Sequence, residues 1–377
     1  MKKKLTQELM SCKPVACFCG FDGFVDEVVH TVDQRTDADH YSRIMTLREY
    51  GKRIADASGL SLNIEIVTVD KKLGGNGPIF ANGLKHYGAD MTYIGSVGKE
   101  AIDPVFSELA KDSLLIGIAD PGRTDAMEFT DGKIIRSKLA ALNDVCWNSV
   151  LEKVGLEKFV AYMDAADLIS FNNWTMLPHM SELWDGILEQ AIPRMRADKS
   201  KKVLFFDLAD PEKRTTDDIL DALKRIKAFH AYGFHTILGL NKKEACEIAG
   251  VLGKQIDDFR GYPLPKLVAY LNEQLMLDCI VVHPVDRAAC MMDGVYTEVE
   301  GPYCAHPKLT TGAGDNFNTG FVFGYLQGYD AAACLSLGTA TSGYYVRNCH
   351  SPSIKEVSAF LADWAEGKLD GTDMECR

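Results

Sequence analysis

Positive charge is in short supply: 41 Lys and Arg stand against 53 Asp and Glu, for a net charge of −12. That balance argues against a nucleic-acid footprint and against an anionic membrane surface. No apolar run reaches the length of a transmembrane helix, so no membrane span is expected. The 11 cysteines include no C-x-x-C pair, and the nine histidines show no H-x-x-x-H spacing. Neither a redox dithiol nor a zinc site of familiar spacing is therefore expected. An odd set of cysteines, mostly inside apolar runs, fits core thiols in a reducing cytoplasm. The opening Met1-Lys-Lys-Lys4 has the look of a signal n-region, but Val15 to Phe21 ends at Asp22 with no small-residue cleavage site and reads as a first strand. A P-loop is also missing; Gly95-Ser-Val-Gly98-Lys99 and Gly250-Val-Leu-Gly253-Lys254 have the wrong spacing. So is a dinucleotide fingerprint, whose third glycine would stand where Phe317 is.

What is present is a glycine-rich turn that runs into an apolar helix, Leu309-Thr310-Thr311-Gly312-Ala313-Gly314-Asp315-Asn316-Phe317-Asn318-Thr319-Gly320. Gly312 and Gly314 remove the Cβ atoms that would keep an anion from the backbone N–H groups. The helix expected over Asn316 to Gln327 points its unpaired donors into the same space. A phosphate fits there. Asp315 repels that phosphate, and so reads better as a base that takes a proton from an attacking hydroxyl. The competing reading is a glycine loop that only starts a buried helix.

Along the chain, strands that read as continuous apolar runs alternate with amphipathic helices. Lys13 to Phe21, Leu62 to Val69, Met91 to Val97, Leu168 to Phe171, Val203 to Asp207, Thr236 to Leu240 and Cys279 to His283 are expected strands. Hairpins are expected within Arg123 to Leu139, turning at Asp131-Gly132, and within Cys290 to Tyr303, turning at Asp293-Gly294. Asp39 to Ala57 reads as a surface helix. The pattern implies an α/β fold with a mostly parallel sheet covered on both faces. Ligands in such sheets sit beyond the carboxyl ends of the strands, where Asp22, Asn241 and the Gly312 loop all fall. No linker or repeat divides the 377 residues, so one domain over 1–377 is expected.

Two smaller patterns carry chemistry and a plainer alternative. Asp22 and Asp26, after the first strand, are placed to grip hydroxyl groups, although Asp22-Gly23 also makes a turn. Asn241 and Glu244 share one side of a helix start, where they could hold Mg²⁺ through its waters. The same spacing is a helix-capping pattern.

With these residues in place, the sequence resembles the ribokinase-like (PfkB) carbohydrate kinases over nearly its whole length. The resemblance rests on Thr310-Thr-Gly-Ala-Gly-Asp315, close to D-T-x-G-A-G-D; on Asn241-Lys-Lys-Glu244, which fits N-x-x-E; on Gly74-Gly75-Asn76 before a helix; and on Val25-Asp26 after the first strand. It implies a three-layer α/β domain with a small β lid, whose segments lie near 24–30, 62–72 and 126–136. It implies ATP and Mg²⁺ as cofactors, a sugar as substrate, and a homodimer contact through the lid. Asp315 would be the catalytic base, with the Gly312, Ala313 and Gly314 amides as the anion hole. Thr310, Gly312, Gly314 and Asn241 would contact the nucleotide. Asn241 and Glu244 would organise the metal and its waters, and Asp22, Asp26, Gly75 and Asn76 would meet the sugar. Four departures limit the likeness, one of them Thr319, which is larger than the small residue usual before Gly320. Leu309 replaces the first Asp of the signature, so K⁺ activation is not implied. Ile79 replaces an expected asparagine near the sugar. His283-Pro-Val-Asp-Arg-Ala288 replaces T-L-G-x-x-G on the adenine side. A nucleoside kinase, with Phe24 and Phe129 as stacking candidates, and a non-catalytic sensor are the alternatives. A phosphosugar is disfavoured by the acids, although Arg136 in the lid could still meet a phosphate.

Overall fold

The computed structural model describes residues 2–369; Met1 and residues 370–377, the ends of the expected 1–377 unit, lie outside the described residues. Among the described residues, fourteen strands form two sheets. They are β1 Ala16–Phe21, β2 Phe24–Arg35, β3 Tyr41–Arg43, β4 Ile66–Gly74, β5 Asp90–Gly95, β6 Leu114–Gly117, β7 Gly122–Phe129, β8 Gly132–Lys138, β9 Leu168–Asn172, β10 Val203–Asp207, β11 His235–Leu240, β12 Cys279–Val282, β13 Arg287–Met292 and β14 Val295–Glu300.

The large sheet runs β14-β13-β12-β11-β10-β9-β1-β5-β6, parallel from β12 to β6 and closed at the other edge by the antiparallel β13 and β14. Its apolar strands feed two cores. Leu204 and Phe206 of β10 enter one buried cluster, while Val203 and Phe205 enter the other. The period of two along a strand thus puts helices on both faces, giving three layers. β1 lies between β5 and β9, so the chain order reverses there and the strand ends open a crevice.

The chain leaves β1 through Asp22-Gly23 and enters the second, five-stranded sheet as β2. β2 pairs with β4, β7 and β3, and β7 pairs with β8. The segments 24–30, 62–72 and 126–136 all contribute to this sheet. Around this second sheet two boundaries differ clearly from expectation. The strand expected over 62–69 runs over Ile66–Gly74, because it is set by pairing with β2, Phe24 opposite Gly74 and Asp26 opposite Lys72. The helix expected from residue 39 starts at Leu47, where the Thr46 hydroxyl accepts from the Glu49 amide. Tyr41–Arg43 is a strand instead. Both expected hairpins form about their Asp-Gly turns.

Candidate active site

Helix Ala313–Leu326 begins three residues before the expected Asn316, with Gly312 as its N-cap at φ +87°. Gly312 is there because that left-handed backbone favours glycine, and because a Cβ would press on the Tyr345 hydroxyl at 2.8 Å. Gly314 and Asp315 therefore lie in the first helical turn, where N–H groups have no intrahelical acceptor. The Ala313 amide donates to the Thr310 carbonyl (3.1 Å). Asp315 is 7% exposed, and its Oδ1 is buried without a hydrogen-bond partner among the described residues.

Two adjoining cavities meet at this turn. One, of about 580 Å³, lies between the large sheet and the second sheet; it is lined by Asp26, Gly75, Asn76, Asn241, Glu244, Gly312, Gly314 and Asp315. The other, about 290 Å³, includes Asn241, Thr310, Ala313, Gly314, Pro302 and Val346. Asp22 stands apart from the rest of the expected set. It is fully buried beneath the larger cavity, with Gly77 N donating to Oδ1 (3.0 Å) and Asn173 Nδ2 to Oδ2 (2.8 Å). Its carboxylate faces these donors rather than the cavity.

The Asn241–Glu244 pattern is realised as a reciprocal cap: Glu244 N donates to Asn241 Oδ1 (2.9 Å) and Asn241 N to Glu244 Oε2 (2.8 Å). The other Glu244 oxygen accepts from Asp210 N (3.0 Å). Capping does not withdraw the pair, since both residues still line the larger cavity.

The floor of that cavity is crowded with acid. Burial, then mutual repulsion with Asp207, holds the Asp315 carboxyl well above its ordinary range. Asp207, at the end of β10, is raised well above the ordinary range by burial and by Glu244. Burial also raises Glu244 and Asp26, and pushes Asp22 up to about 7. The Asn76 side chain, beside both, partly offsets the rise at Asp207 and Asp315. Asn318, one turn after Asp315, donates from Nδ2 to Asp207 Oδ2 (3.0 Å). A buried acid with an open oxygen thus stands beside the first-turn amides of a helix where two cavities adjoin, an arrangement whose chemistry would allow a proton to be taken from a neutral group beside an anion.

Residues 3–364 match the family model of the prokaryotic ketohexokinases. The chain belongs to this family. A curated relative, the ketohexokinase of Haloferax volcanii, is 27% identical over 356 residues, 94% of this chain and 92% of the relative. The ketohexokinase-family chain also shares the ribokinase-type fold. It superposes on adenosine kinase from Sinorhizobium meliloti with a TM-score of 0.64 at 16% identity, covering 94% of this chain and 100% of the other. Against ribokinase from Cryptococcus neoformans in complex with ADP, the TM-score is 0.60 at 15% identity, covering 92% and 99%.

For this ketohexokinase-family chain, three strand-end residues to which the sequence assigned no site role of their own line the larger cavity: Asp207, Asn173 and His283. Asp207 left a trace, a lone acid closing the apolar run Val-Leu-Phe-Phe. Asn173 sits at φ +62°, a conformation asparagine tolerates better than most residues. The lid candidates divide. Phe24 lines the cavity, whereas Phe129 packs on Tyr50 (ring centroids 5.3 Å) inside the second sheet. Arg136 is exposed and away from the lining, and Lys72 and Lys133 are the sheet cations that reach it.

Proposed function

We propose that this protein transfers the γ-phosphoryl group of ATP to a hydroxymethyl oxygen of a ketohexose. The observation that carries this reading is Asp315: a buried acid with an unpartnered oxygen, in the first turn behind a glycine N-cap, where two cavities adjoin. The larger cavity takes the sugar, with Asp26, Gly75, Asn76 and Asn173 toward its hydroxyls. The smaller one takes the nucleoside end. Asp315 accepts the hydroxyl proton as the sugar oxygen attacks phosphorus; the bond to the β,γ-bridging oxygen breaks and ADP leaves. The Gly312, Ala313 and Gly314 amides receive the charge on the transferring group, Ala313 exchanging its Thr310 partner for phosphate. Asp22 is reassigned to holding Asn173 and the Gly77 turn from below, without touching sugar.

The donor set fits Mg²⁺. Among the described residues no three His, Cys, Asp or Glu side chains are grouped to grip an ion directly. All-oxygen donors over a cavity short of positive charge instead suit a hydrated hard cation. Asn241 and Glu244 would hold its waters, and the ion would neutralise the polyphosphate. Glu244→Gln keeps one acceptor for the cap and loses the charge. It is expected to raise the Mg²⁺ concentration needed for half-maximal rate by about 10-fold or more, read by Mg²⁺ titration at fixed ATP. A K⁺ requirement is not part of the reading, since Leu309 supplies no side-chain ligand where the family signature has an acid.

The second sheet acts as the lid of a single kinase unit. Its exposed Ile66, Val69 and Ile135 are where we place the contact with a second copy. Buried thiols outside any disulfide, such as Cys17, Cys19 and Cys279, support a cytoplasmic setting. The deciding experiment is ADP release with ATP, Mg²⁺ and a panel of ketohexoses, aldohexoses, pentoses, phosphosugars and nucleosides. Fastest turnover is expected with a ketohexose. A nucleoside or phosphosugar turned over faster would replace this reading.

A further inference from the structure

The family pattern leaves His283 unexplained, since it falls where a small T-L-G turn is expected. Here it follows β12, and its amide donates to the Leu240 carbonyl (3.0 Å), tying it to the end of β11 beside Asn241. The ring lies on Phe317, centroid to centroid 4.7 Å. It also lies against the glycine turn: a Cβ on Gly314 would sit 3.1 Å from Cε1 and 3.7 Å from Nε2. Loop and ring are therefore fitted to each other, and Gly314 is glycine partly because the imidazole occupies the space. His283 lines both cavities, at their junction.

We propose that His283 is a side-chain donor of the phosphate site, its ring N–H meeting the terminal phosphate of the nucleotide beside the Gly314 amide. The inference rests on reading the Gly312–Gly314 turn as the phosphate site. One ring nitrogen meets the residue's own backbone; among the described residues the ring makes no hydrogen bond to any other residue, so the second nitrogen is left for a ligand. Burial pushes the imidazole down to about 4, which keeps it neutral at working pH with one N–H to give. Held by Phe317 on one side and the loop on the other, that donor needs no reorganisation as charge builds on phosphorus.

The test uses His283→Phe, which keeps the ring contact and loses the N–H, beside His283→Gln, which returns an N–H. His283→Phe is expected to lower kcat by about 10²–10³, with KM for the ketohexose within about twofold. His283→Gln is expected to recover about tenfold or more of that loss. In calorimetry, His283→Phe is expected to weaken ATP about tenfold, while AMP affinity stays unchanged. Wild-type kcat and ATP affinity in His283→Phe would reduce the ring to packing. An equal loss of ATP and AMP affinity would move the contact to the nucleoside end, and either result overturns the proposal. Should His283→Phe not fold, His283→Ala against His283→Gln reads the same contrast. The calorimetric arm is independent of the sugar. If no ketohexose is phosphorylated but ATP binding is lost selectively, the substrate reading fails and this one stands.

Discussion

Asp315→Asn is expected to lower kcat by about 10²–10⁴ while raising thermal stability. The two effects have one cause. Asp315 lies 7% exposed among Asp207, Asp22 and Glu244, and burial with like charges lifts its carboxyl well above the ordinary range. A folded-state pKa above the unfolded one means that stability is lost as pH rises and the buried acid is forced to ionise. Asparagine has nearly the same shape and never ionises. The variant therefore gains stability at neutral pH and loses only the proton acceptor. KM for ATP is expected to stay or fall, because a negative charge leaves the neighbourhood of the γ-phosphate.

The same shift sets the pH profile. The ionised form is the active base, so wild-type kcat/KM for the sugar is expected to fall on the acid side, through a pH above the ordinary carboxylate range. Single-turnover ADP formation and a melting curve on the same preparation check the pair of effects. A variant that keeps kcat within about tenfold of wild type removes Asp315 as base. A variant that loses both activity and stability points to a damaged fold instead.

Much of this site was legible because its parts are local. Gly312-Ala-Gly-Asp315 and Asn241-Lys-Lys-Glu244 are each a turn of helix, so spacing alone puts their groups side by side. The apolar runs at 168–171, 203–207 and 236–240 likewise became parallel strands, because a strand buried on both faces has little freedom to be anything else. What was not legible depends on distant partners. β4 is largely exposed and polar, and only its ladder with β2 places it at Ile66–Gly74. The helix start at Ala313 turns on one glycine dihedral. Asp207, Asn173 and His283 come from three separate strand ends, and no short motif links them. Asp22 was misplaced for a related reason. Its position after β1 is that of a ligand-gripping acid, but Asn173, more than a hundred residues away, turns its carboxylate downward.

Asp22 provides the second large effect, in stability rather than rate. It is fully buried, and burial lifts its carboxyl from 3.8 to about 7 despite the donors Gly77 N and Asn173 Nδ2. Below pH 3.8 both folded and unfolded chains hold the proton, and Asp22 costs nothing. Between 3.8 and about 7 the unfolded chain has released it and the folded chain has not, so stability falls as pH rises. Above 7 the loss is complete. A gap of 7 − 3.8, roughly three units, corresponds to a loss on the order of 4 kcal/mol. Asp22→Asn abolishes this term. It also gives up one accepted hydrogen bond, because an amide oxygen cannot receive both donors that the carboxylate does; that costs about 1 kcal/mol at every pH. The signature is therefore a slope and not an offset. Asp207, Glu244 and Asp315 are raised too and tilt the wild-type curve in the same direction. The quantity to measure is accordingly the difference between variant and wild type in urea stability, across pH 4.5 to 8. That difference is expected to move in favour of Asp22→Asn as pH rises and to flatten near 7. Parallel curves would mean that Asp22 is already ionised in the fold. The Asn173 and Gly77 donors would then be compensating a buried charge, rather than orienting a protonated carboxyl.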